Sequence, residues 1–137
     1  MKEFHIITVG ASIIKNAQKK MEAGLKGNEK LSDEKFWELK INDKNFMNEL
    51  MKFVKNAPQE NSAELNTFLR VVKDKIPEDV SVYLVSTKTK IGEICKIIIE
   101  EILKDFGYHL YTGSEISGYF WETKFDENFC TREEFKK

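Results

Sequence analysis

The chain has few cysteines, no long apolar run and no excess of charge, and each shortage excludes a class. Two cysteines in 137 residues cannot form a disulfide scaffold, and Cys95 falls on the apolar face of a helical pattern, so reduced thiols and a cytoplasmic setting are expected. Cys130 has no Cys or His neighbour at metal-ligand spacing, so no metal site and no cofactor are expected. No apolar stretch approaches the roughly 20 residues that cross a bilayer, and Glu3 with the early polar loop argues against a signal peptide; no membrane partner is expected. A net charge of −1 offers no broad basic surface for duplex DNA. The dinucleotide fingerprint Gly-x-Gly-x-x-Gly never occurs. After Gly10 there is neither the second glycine nor the Lys-Ser/Thr pair of a Walker A loop. Repeats and low-complexity linkers are also missing.

What is present reads as an α/β domain. Hydrophobic residues make up 41% and charged residues 33%, an ordinary globular balance, and the length suits one domain. The clearest stretch runs from Val82 to Phe106. Val82-Tyr83-Leu84-Val85 suits a buried parallel strand. After Ser86-Thr87-Lys88-Thr89-Lys90 comes an apolar stripe at helical spacing: Ile91, Ile94, Cys95, Ile98, Ile99, Ile102, Leu103 and Phe106. Gly107 stands where helices end. Phe4 to Val9 reads as another strand, leading through Gly10-Ala11-Ser12 into Ile13-Ile14-Lys15-Asn16. Both are strand–loop–helix units. At the carboxyl edge of an open α/β sheet such turns face a ligand, and a phosphorylated one suits their helix N–H groups.

Between them the pattern is helical. A short basic helix is expected around Ala17 to Leu25, broken at Gly24 and Gly27. A second starts near Ser32-Asp33-Glu34, and a third is capped by Asn42 or Asp43 and stops before Pro58. Ser62-Ala63-Glu64 starts a fourth. Pro77-Glu78-Asp79 turns into the central strand, and Tyr108 to Thr112 reads as a third strand. Tyr119 to Phe125 has strand-like aromatics suited to core or dimer packing, or to stacking on bases. Thr131 to Phe135 looks like a helix just beginning, which leaves open that the single domain, 1–137, is cut at its C-terminal end.

Three motifs in order carry a family resemblance: Val9-Gly10-x-Ser12-Ile13-Ile14-x-Asn16, Ser62-Ala63-Glu64-Leu65-Asn66, and Val85-Ser86-Thr87-Lys88-Thr89-x-x-Gly92-Glu93-Ile94-Cys95. Together they resemble the CRISPR-associated Rossmann-fold (CARF) family, in particular the sensor domains of type III CRISPR accessory proteins. The resemblance implies a Rossmann-like, mostly parallel sheet flanked by helices. It also implies a homodimer that binds a cyclic oligoadenylate, with the tetra-adenylate expected, in antiviral signalling. Some family members also cut the ring without metal, through a ribose 2′-OH attacking the adjacent phosphate. Effector members often add a HEPN ribonuclease, whose Arg-x-x-x-x-His pattern does not occur here.

Carried onto this sequence, the expected ligand contacts are Gly10, Ala11, Ser12 and Asn16 in the first loop. In the central turn they are Ser86, Thr87, Lys88, Lys90 and Gly92. For cleavage, Ser12 would orient the ribose and Lys88 or Lys90 would neutralise the phosphate. Simpler roles stand beside these: Ser12 and Asn16 as helix caps, Lys88 and Lys90 as solvated charges, His5 as a strand residue and Cys95 as core. Ring binding by a sensor is the leading expectation; a metal-independent ring nuclease and a nucleotide-binding α/β protein outside CRISPR biology are the alternatives.

Overall fold

In the computed structural model, which describes residues 2–21 and 31–111, the β-branched segment at the N-terminus forms β1 (Glu3–Val9). Ile13, Ile14 and Ala17 then give α1 (Ser12–Lys20) one fully buried stripe. The helix begins at once after the Gly10 turn, earlier than the expected Ala17, because the apolar spacing opens at Ile13. The rest of that expected helix, with Gly24 and Gly27, lies outside the described residues, as do the aromatic segment 119–125, Cys130 and the 131–135 pattern.

Among the described residues four more α-helices precede the next strand. They are α2 (Glu34–Ile41), α3 (Lys44–Asn56), the single turn α4 (Pro58–Asn61) and α5 (Ala63–Val71). Their starts are written in the sequence. Asp33 accepts from Phe36 N–H, Asp43 from Phe46 N–H and Ser62 from Leu65 N–H, each satisfying a donor the first helical turn leaves unpaired. Pro58 ends α3 and opens α4, where its fixed φ and missing N–H are harmless.

A 3-10 turn, Pro77–Asp79, leads to β2 (Val80–Ser86), followed by α6 (Lys90–Asp105) and β3 (His109–Tyr111). Thr89 caps α6 by accepting from Gly92 N–H at 3.0 Å. At its other end Gly107 takes φ +95°, which glycine adopts without strain. Its N–H donates to Lys104 O and Tyr108 N–H donates to Leu103 O, the paired bonds of a Schellman motif.

The sheet order is β1-β2-β3, all parallel, with Val9 beside Ser86 and Ser81 beside His109. Both crossovers step the same way across the sheet, and right-handed connections then put their helices on one face. Burial agrees. Val80, Val82 and Leu84 are sealed against α6, with Ile7, Val9 and Leu110 on the same side. The opposite face carries Phe4, Ile6, Tyr83 and Tyr111 in neighbouring rows, with Phe4 and Tyr111 rings 5.5 Å apart across Ser81. Among the described residues no helix covers that face. The core is an α/β one, with Trp37 of α2, Leu50 and Val54 of α3 and Ile94, Ile98, Ile99 and Ile102 of α6 fully buried.

Candidate functional site

Because Val9 and Ser86 are register partners, the two strand–loop–helix turns leave the sheet side by side at its carboxyl edge. Open α/β sheets bind ligands outside this edge, although the described order β1-β2-β3 has no switch of direction there. The first turn is Gly10-Ala11-Ser12 and the second runs from Ser86 to Lys90.

The first turn is closed by a residue far away in sequence. Gly10 N–H donates to Glu64 Oε2 at 2.8 Å, and the Ser12 hydroxyl donates to Glu64 Oε1 at 2.5 Å. Ser12 Oγ in turn accepts from Ala63 N–H at 3.1 Å, and the Ser62 hydroxyl donates to Glu64 Oε1 at 3.2 Å. The start of α1 and the start of α5 are thus laced together through one carboxylate. Ala11 is the residue flanking α1, without a side-chain bond to the helix, and Ser12 is the first helical residue. Ser12 therefore does not cap α1. A carboxylate near that helix start also complements its dipole, and α1 has no acid in its own first turn.

Asn16 lies one turn further along α1, where its Nδ2 donates to Asn61 O at 3.1 Å. Lys20 Nζ donates to Asn61 Oδ1, and Asn61 Nδ2 donates to Phe53 O at 2.8 Å. Asn61 is 4% exposed and fully engaged, so it works as a buried clamp between α1, α3 and α4.

In the second turn Ser86 ends β2 and the Thr87 and Thr89 hydroxyls share a hydrogen bond of 2.9 Å. Gly92 sits where α6 crosses over Thr87. A Cβ there would lie 2.5 Å from the Thr87 carbonyl oxygen, so glycine is required for the turn to fold back on itself. Lys90 N–H faces both carboxylate oxygens of Glu34 at 3.1 and 3.3 Å, and Lys90 Nζ lies 3.6 Å from Glu93. Lys88 is exposed on the same turn.

The two histidines lie far from these turns. His5 bonds Glu3 at 2.9 Å near the start of β1, and His109 opens β3. Cys95 is buried in α6, and burial pushes its thiol up to about 12. Among the described residues no group of three His, Cys, Asp or Glu side chains could hold a metal ion, and no helix is long and apolar enough to cross a membrane. A groove of about 380 Å³ runs along β1 beside α5, lined by Ile6, Ile7, Thr8, Thr67 and Glu64 among others.

A family model for the CRISPR-associated protein (Cas_APE2256) matches residues 59–130, more than half of the chain. The chain belongs to this CRISPR-associated family. That sets aside the reading of a nucleotide-binding protein outside CRISPR systems. The Cas_APE2256 match spans Glu64, β2, the second turn, α6 and β3, while the first turn precedes it. No curated protein matches the chain. Two residues of the site, Glu64 and Glu34, read in the sequence as helix starts, Glu64 also within the second motif, and not as partners of the turns. Each stands at the start of its own helix, where an acid is explained by the local dipole alone, and their partners lie 52 to 56 residues away.

Proposed function

We propose that this chain binds a cyclic oligoadenylate, the tetra-adenylate ring by expectation, as a homodimer serving type III CRISPR antiviral signalling. The observation that carries the reading is the adjacency of two strand–loop–helix turns at one sheet edge, in a chain of a CRISPR-associated family. The resemblance of its three motifs to CARF domains supplies the ligand class. Hydroxyls of Ser12, Ser86 and Thr87 and the lysines Lys88 and Lys90 suit ribose and phosphate oxygens. A ring with two-fold symmetry matches a C2 dimer, which presents each turn twice.

Binding without cleavage is the reading the site favours. Ring opening by the 2′-OH needs charge stabilisation and gains from a base. Both histidines stand away from the turns, and Ser12 already donates its proton to Glu64. The test is calorimetry against cyclic tri-, tetra- and hexa-adenylate, with chromatography of the same samples and light scattering of the protein. The expected result is one ring per dimer, recovered whole. A monomer that binds none of the three rings would refute the proposal. Metal-independent cleavage products would replace the sensor with a ring nuclease, whose activity should vanish on 2′-deoxy rings.

A further inference from the structure

Each turn of the site already holds an anion, and the chain supplies it. At the first turn, the Glu64 carboxylate takes the Gly10 N–H and the Ser12 hydroxyl, the two donors a phosphate oxygen would use there. At the second, Glu34 faces the Lys90 N–H with both oxygens. Neither acid belongs to the helix whose start it occupies: Glu64 comes from α5 and Glu34 from α2. Of the two, Glu64 is the more firmly seated, half-buried and bonded through both of its oxygens to three donors.

We infer that Glu64 is the gate of the first turn, an internal anion that a phosphodiester must displace before it reaches Gly10 and Ser12. The inference rests on the ring-binding reading above. A phosphate and a carboxylate cannot share these donors, since two like charges a few ångströms apart in a partly buried site repel strongly. Glu64 can leave without unfolding anything. It is the second residue of α5, and its side chain borders the groove along β1, which has room for a swung-out carboxylate. Ser62 stays behind to cap α5 through Leu65 N–H. The gate sets specificity as well. A neutral ligand part gains nothing from the swing, and a small free anion has too few other contacts to drive it. A ring that contacts both turns of both protomers does have them.

The experiment titrates the full chain and its Glu64→Gln variant with cyclic tetra-adenylate and with adenosine. Glutamine keeps the size and an acceptor but removes the charge. The ring should bind Glu64→Gln about tenfold or more tightly than wild type, and adenosine should bind the two proteins equally. Ring affinity that is unchanged or weaker in Glu64→Gln overturns the gate while wild-type ring binding still supports the reading above. Tightening of ring and adenosine together overturns it too, as a general loosening of the loop. No ring binding by either protein refutes both. Should the variant fail to fold, the wild type decides alone. Amide spectra should show the Gly10 N–H moving on ring addition as Glu64 departs, and a bound ring that leaves Gly10 unmoved overturns the inference.

Discussion

Replacing Gly92 with alanine sets two effects of opposite sign against each other. Alanine is the better helix former, by roughly 0.8–1 kcal/mol in a helix interior. Gly92 is the third residue of α6, so only part of that gain applies. Against it, the new methyl would sit 2.5 Å from the Thr87 carbonyl oxygen and closer still to Thr87 Oγ1. The hydroxyl can rotate away, but the carbonyl is backbone, so the turn or the first turn of α6 must shift. Overpacking of this kind costs about 1–3 kcal/mol. The shift also pulls on the Thr89 cap at Gly92 N–H, worth about 1 kcal/mol. The clash wins, for a net loss of roughly 1–2 kcal/mol. That corresponds to a fall in Tm of about 4–8 °C for a domain of this size. Urea titration followed by circular dichroism measures it directly. Adding Thr87→Ala should restore only part of the loss, since the carbonyl remains. A Gly92→Ala protein as stable as wild type would show that the turn has slack and that glycine there answers no steric need.

Other expectations follow from packing and burial. Glu64→Ala leaves Gly10 N–H and the Ser12 hydroxyl without their acceptor and should cost about 2 kcal/mol in urea titration; no loss would mean that water replaces these bonds fully. Trp37→Ala empties a fully buried site and should cost about 3–5 kcal/mol, with a loss below 1 kcal/mol contradicting the described core. In a Cys130→Ser background, Cys95 should react with a thiol reagent at pH 8 only as fast as the chain opens, and labelling much faster than unfolding would place the thiol outside the core. Because the folded thiol is held up at about 12, its preference for the folded state is complete below the ordinary value of 9 and falls away as pH rises from 9 toward 12.

The parts of the fold legible in the sequence are those whose cause is local. Ile91 to Phe106 repeats at helical spacing, Gly107 ends that helix, and Asp43 and Ser62 cap theirs, all within a few residues of what they govern. The start of α1 is hard to place from sequence because Lys15 and Asn16 look like loop residues, although Ile13, Ile14 and Ala17 already share a buried face. The site was legible by position only. Sheet-edge turns after Val9 and Ser86 could be anticipated from strand–loop–helix order. The acids that occupy them could not, because nothing near Glu64 or Glu34 in sequence announces a partner across the domain. Asn61 gave no signal at all, being one polar residue in a polar stretch.

The two ladders of the sheet differ in what must happen before they zip. Between β2 and β3 lies a single helix, so Ser81 and His109 are brought together by a compact crossover. Between β1 and β2 the described residues hold five α-helices, and Glu3 meets Val80 only once that whole excursion has closed. Loop closure of that length carries an entropic cost before any pairing returns it. Pairing of β1 with β2 therefore carries a closure cost that pairing of β2 with β3 does not, and its ladder is the longer one, running from Glu3 beside Val80 to Val9 beside Ser86. Gly10 and Ser12 follow directly on β1, so the first turn takes its place at the sheet edge only once that long closure is made.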